Sequence, residues 1–116
     1  MFHKIIIVGR LGADPEQKYT VDGKAVTSFS VAAENRKDET LWFRVSAWEK
    51  LADVCGRYLK KGAKVLVEGA LRADGAGNPR VYERKDGLGW AASFDVVASS
   101  VRFLSGKDEP AEDVPF

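Results

Sequence analysis

Apolar residues along this chain recur mostly at every second position, the period of a half-buried strand. Lys4 to Val8 is apolar and β-branched, and Gly9-Arg10-Leu11-Gly12 then leads to a turn at Asp14-Pro15, which predicts a first, largely buried strand. After a second turn at Asp22-Gly23, residues 25–33 put Ala25, Thr27, Phe29 and Val31 on one face and Val26, Ser28, Ser30 and Ala32 on the other. This predicts a second strand, joined as a hairpin. The polar run from Glu34 to Thr40 reads as a loop of seven residues. From Leu41 to Trp48, Leu41, Phe43, Val45 and Ala47 form a core face, while Trp42, Arg44, Ser46 and Trp48 form the opposite one.

The period changes between Glu49 and Leu59, where Leu51, Val54, Cys55, Tyr58 and Leu59 make the stripe of an amphipathic helix that Gly62 stops. A fourth strand follows over residues 65–72, with Val65, Val67, Gly69 and Leu71 inward and Leu66 hinting at a covered outer side. Arg80 to Arg84, before Asp86-Gly87, predicts a protruding β-arm with Trp90 packed at its base. The last strand, 91–104, is long enough to need a bend or bulge near Ala98-Ser99-Ser100. Three strands, a helix and two strands define an all-β chain with the order of a five-stranded Greek-key OB-fold barrel, its helix between strands 3 and 4. A β-sandwich fragment and an SH3-like barrel are the structural competitors. The domain is expected over 1–104, with 105–116 a short, disordered, acidic tail.

Charge sharpens that division. The chain carries a net +1, but its last twelve residues hold Lys107 against Asp108, Glu109, Glu112 and Asp113, leaving a body of 17 basic and 13 acidic residues. A basic body suits a polyanion and an acidic tail a basic partner, although charge alone fits a solubilising tail equally well. No apolar run reaches membrane-spanning length and no leader pattern opens the chain, so a cytoplasmic, nucleoid-associated protein with no membrane contact is expected. With one cysteine, Cys55, and one histidine, His3, neither a disulfide nor a zinc-ligand set can be assembled. No nucleophile motif, P-loop or dinucleotide fingerprint occurs, so the expectation is a non-enzyme without cofactor or metal.

The chemistry-bearing feature is Trp42-x-Arg44-x-Ser46-x-Trp48. Six residues along a strand set the two indoles on one face about 20 Å apart, too far to stack on each other. Separated rings with a guanidinium between them suit an extended chain of bases, rings stacking and Arg44 meeting a phosphate or base plane. Core packing is the alternative, but it would bury Arg44 unpaired while the other face already supplies a core. On the arm, Arg80, Tyr82 and Arg84 alternate onto one side and could clasp a strand; by composition a solvated hairpin fits as well. Arg10, Arg36 and Arg72 are scattered cations expected to add phosphate contacts, whereas Lys60-Lys61 complements the helix dipole.

The stretches Ile7 to Glu16, Gly23 to Val26, Lys50-Leu51-Ala52, Tyr58 to Gly62 and Val67 to Arg72, with the ending Glu112-Asp113-Val114-Pro115-Phe116, resemble the bacterial single-stranded DNA-binding proteins. The resemblance implies an OB-fold, a homotetramer, sequence-independent binding of single-stranded DNA, and a C-terminal tip that docks replication, recombination and repair proteins. Trp42, Arg44 and Trp48 match family binding positions. Arg36 stands near where many relatives carry a stacking Trp, and Ala73-Asp74-Gly75 replaces a basic, Trp-containing run, which passes a stacking role to Tyr82. The tether before the tip is short, about ten residues with a reach of ~35 Å. Two other readings stay open: an oligomeric OB-fold adaptor with little nucleic-acid binding, and a sugar-binding OB module.

Overall fold

In the computed structural model, which describes residues 1–104, the elements run β1 (Ile5–Leu11), β2 (Glu16–Tyr19), β3 (Ala25–Arg36), β4 (Glu39–Trp48), α1 (Lys50–Tyr58), β5 (Lys64–Leu71), β6 (Val81–Glu83), β7 (Trp90–Ala92) and β8 (Phe94–Phe103). The main sheet has the order β1-β5-β8-β4-β3-β2, and an additional β1–β3 pairing closes five of those strands into a barrel, with β2 outside the ring. All of its strand pairs are antiparallel except β4 with β8. This is the OB-fold that the element order predicts.

Closure depends on a close approach of backbones. Arg10 and Leu11 of β1 pair with Ala32 and Val31 of β3, and a Cβ at Gly9 would lie 2.1 Å from the Ala32 carbonyl oxygen. Only glycine lets the seam shut there. At β5–β8, Glu68 faces Ser100 and Gly69 faces Ala98, so Ser99 is the extra residue of a bulge. The expected bend therefore occurs where the long last strand must curve. Its earlier part differs from expectation: residues 90–92 belong to the arm as β7, and β8 begins at Phe94.

Inside the ring, Ile7, Leu11, Phe29, Val31, Phe43, Val45, Val65, Val67 and Val96 form the core, and Cys55 and Leu59 of the helix segment join it. The period-2 faces of the second and third predicted strands are thus the observed ones. Thr27, also inward, is fully buried, and its hydroxyl donates to the Ala52 carbonyl at 2.7 Å. That bond satisfies a polar atom that would otherwise be costly and pins the helix to the barrel. The helix buries Ala52 and Cys55, with Leu59 just past its end, whereas Val54 and Tyr58 are exposed. The predicted stripe is therefore rotated, because small Ala52 and Cys55 fit against the curved end of the barrel.

Two local expectations give way to the structure. The seven-residue loop after the second strand is instead a continuation of β3 and β4, with a two-residue turn at Lys37-Asp38 and a bulge between Glu34 and Arg36. Polar residues keep the ladder because this hairpin has no second layer to bury against, and Asp38 takes a positive φ of 63°, a left-handed conformation that aspartate tolerates in turns. The unpredicted strand β2 pairs with Ala25 to Ser28, turning through Thr20 to Lys24, and Gln17 donates to Asp53 at 3.1 Å, fastening it to α1. All four of its residues are exposed, so no apolar alternation could announce it. Leu71, expected inward, is 53% exposed at the end of β5.

Burial raises the Cys55 thiol to about 11. At pH 8 the thiolate is then a very small fraction, and the thiolate is the reactive form. In native buffer an aromatic disulfide reagent is expected to leave Cys55 unmodified over many minutes, whereas in concentrated urea it reacts within seconds; rapid native labelling would contradict the buried placement.

Candidate nucleic-acid interface

On the outer face of β4, hydrogen-bonded registry sets Trp42 beside Ala32, Arg44 beside Ser30, Ser46 beside Ser28 and Trp48 beside Val26. The β3 neighbours are small, so nothing from that strand covers the indoles. Trp42 is 51% and Trp48 36% exposed. Trp42 is also held from below: a Cβ on Gly12 would lie 2.5 Å from Cζ3 and 2.7 Å from Cη2 of its ring. Gly12 is itself fixed to β3 by its N–H donating to the Ser30 carbonyl at 3.1 Å. One surface of the ring thus rests on bare backbone, and this support was not legible in the sequence.

Between the tryptophans the arm's root folds down onto the strand. Arg44, Arg72 and Arg80 line one cavity of about 110 Å³ with Ser28, Ser46 and Asp95. Asp95, 8% exposed, organises this cluster. Its carboxylate lies 3.0 Å from Arg80 Nε, Ser93 Oγ donates to it at 2.6 Å, and its backbone carbonyl accepts the Arg72 N–H at 2.8 Å. The Arg80 guanidinium also stacks over Tyr82, 5.4 Å from the ring centroid. Arg44 and Arg72 make no side-chain hydrogen bond or ion pair among the described residues. Three arginines against one aspartate leave the hollow with a net positive lining that suits a phosphate oxygen. A lone acid in the apolar run Phe94-Asp95-Val96-Val97 was the only available hint of this centre.

The remaining expected residues lie elsewhere. Arg10, in the ladder Arg10–Ala32–Trp42, donates to the Gly62 carbonyl at 2.9 Å. Arg36 sits at the end of the β3–β4 hairpin opposite Glu39. Arg84 is on the arm's turn, paired with Asp86 at 2.6 Å. The structure therefore sets Trp42, Arg44, Trp48, Arg72, Arg80 and Tyr82 on or beside one face, and among the described residues no hydrogen bond or ion pair joins Arg10, Arg36 or Arg84 to them. Glu112, Asp113, Val114, Pro115 and Phe116 lie outside the described residues. Trp90, expected to pack at the arm's base, is 71% exposed, because the two-stranded β6–β7 sheet puts it beside Glu83 on a face with no layer over it.

A closed barrel that presents separated indoles and a positive hollow on one open face is an OB-fold of the ligand-binding kind. The model of the single-strand binding protein family matches residues 2–104, and the chain belongs to that family. It is similar to the single-stranded DNA-binding proteins of Neisseria meningitidis serogroup A (37% identical over 98% of this chain and 66% of the relative) and Xanthomonas campestris pv. campestris (39% over 92% and 63%). That of Thermotoga maritima is 40% identical over 97% of this chain and 79% of its own length. The chain thus spans about two thirds of the first two relatives.

With Trp48 and Trp90 replaced by Phe, adding Gly12→Ala is expected to force the Trp42 ring aside, altering its emission maximum and near-ultraviolet dichroism. A displaced rotamer costs about 1 kcal/mol, so the thermal midpoint should fall by less than about 8 °C. An unchanged indole signal would contradict the contact.

Proposed function

We propose that this protein binds single-stranded DNA without reading its sequence, laying bases on Trp42 and Trp48 while Arg44, Arg72 and Arg80 take up the phosphate between them. The observation that carries this reading is that three arginines line one hollow on a strand face that also bears two exposed tryptophans. Stacking on a ring tolerates any base, since every base has a π-face, and the cations contact only what all nucleotides share. Tyr82, stacked with Arg80, supplies a further ring beside the hollow, and Arg10, Arg36 and Arg84 add outlying phosphate contacts as the strand leaves the central face. Family membership and the names of the relatives support the same ligand.

Membership of the family supports a wider role. The protein coats and protects single strands during replication, recombination and repair, as a homotetramer in the cytoplasm near the nucleoid. The segment Glu112-Asp113-Val114-Pro115-Phe116 recruits partner proteins by offering the Phe116 ring and flanking acids to a basic-rimmed pocket, with Pro115 limiting the entropy lost on docking. The work is binding; no bond is made or broken.

Across OB-folds that hold single strands, a stacked base contributes about 1–3 kcal/mol. Trp42→Ala with Trp48→Ala should therefore weaken oligo-dT binding at least tenfold, measured by anisotropy of a labelled oligomer. Arg44→Ala should flatten the slope of log affinity against log salt by about 0.7, the contribution of one phosphate on a single strand. A double variant that binds within threefold of the parent would overturn the stacking, and salt-independent binding would favour a sugar ligand.

A further inference from the structure

Strand β2 buries none of its residues, so it adds nothing to the core, yet it is fastened at its helix side and at its turn. Gln17 pairs with Thr27, whose side chain is fully buried, and Gln17 itself reaches Asp53 of α1. At the turn the Thr20 N–H donates to the Lys24 carbonyl and the Gly23 N–H to the Thr20 carbonyl, each at 2.9 Å. Residues directly opposite in an antiparallel ladder share a face, and successive residues alternate. Because Gln17 faces the helix, Lys18 faces the other way. Its ladder partner is Val26, and Val26 is in turn the partner of Trp48. The row Trp48–Val26–Lys18 therefore crosses from β4 to β2 on the open face, spanning about 10 Å at the usual strand spacing. Towards the other end of β4, the row Trp42–Ala32–Arg10 has the same make-up of ring, small apolar side chain and cation.

We infer that the binding face extends past β3 onto β2, where Lys18 holds a phosphate of the nucleotide whose base lies on Trp48. The inference rests on the proposed binding of single-stranded DNA and adds a contact that the cluster around Asp95 does not supply. Val26 is short, so it leaves the path from ring to cation open. The Lys18 ammonium lies 3.3 Å from the Glu16 carboxylate, and the two side chains are 70% and 69% exposed. An ion pair this exposed contributes little and is screened by salt, so an arriving phosphate displaces the carboxylate at small cost. Glu16 stands on the same face, in the row Ser46–Ser28–Glu16 between the two ring-bearing rows. Its charge repels a backbone running along the middle of this edge, which leaves the arginine hollow as the favoured place for the phosphate between the rings. Strand β2 is then a ligand-binding edge added outside the closed barrel, with Lys18 as its gripping residue and Glu16 as the group that occupies Lys18 while no strand is bound.

The test measures oligo-dT binding across a salt series on the full chain and on Lys18→Ala, Lys18→Arg, Glu16→Gln and Lys60→Ala, the last losing the same charge just past the end of α1. Lys18→Ala is expected to weaken binding about two- to fivefold at low salt and to flatten the slope of log affinity against log salt by about 0.7, one phosphate's share. Lys18→Arg should keep the parent's slope, and Lys60→Ala should leave it unchanged. Glu16→Gln, which frees Lys18 and removes a repelling charge, should strengthen binding by a similar two- to fivefold. A slope that Lys18→Ala leaves at the parent's value, equal losses in Lys18→Ala and Lys60→Ala, or weaker binding by Glu16→Gln would overturn the extension to β2 while tryptophan quenching by oligo-dT still upheld the β4 face. No quenching in the parent would overturn both.

Discussion

Strand β4 is hydrogen-bonded on both sides, antiparallel to β3 and parallel to β8, so its register is fixed twice over. A slip of one residue would exchange its two faces, sending Arg44 and both tryptophans into a barrel already filled by valines and phenylalanines. Burying an unpaired guanidinium costs several kcal/mol, and exposing Phe43, Val45 and Ala47 would forfeit their burial as well. The same alternation that builds the core therefore also aims the binding surface. Gly9 makes this possible by letting the ring close, and Gly12, a turn later, gives Trp42 a bare backbone to rest on.

The second organising element is Asp95, a nearly buried acid on the outer side of β8. It draws Arg80 down from the arm, takes the Ser93 hydroxyl, and through its backbone holds Arg72 at the start of the loop. A short two-stranded arm has little apolar surface with which to stabilise itself. Tying its root to the barrel by an ion pair turns a solvated hairpin into one wall of the site.

Where side chains alternate between a filled interior and solvent, the fold was legible: the faces of β3 and β4, the helix between barrel strands and the bulge at Ser99 all followed from period and chain length. Strand β2 and the β3–β4 hairpin were not, because exposed strands are held by backbone pairing that leaves no apolar signature. In the site, Trp42, Arg44 and Trp48 could be grouped from one strand alone. The meeting of Arg72 and Arg80 with Arg44 could not, since it depends on how the arm folds back. Trp90 misled for a related reason: a tryptophan between glycine and alanines reads as packing only if a layer exists to cover it. The wider role proposed above rests on the family resemblance alone, since no spacing within the barrel encodes it.

The three indole N–H resonances of Trp42, Trp48 and Trp90 offer the most direct test of the central claim that the outer face of β4 is where single-stranded DNA lies. Assigned by single Phe substitutions and followed during titration with oligo-dT, the Trp42 and Trp48 signals should shift together and saturate at one stoichiometry. Saturable binding that leaves both of those resonances unmoved would contradict the account.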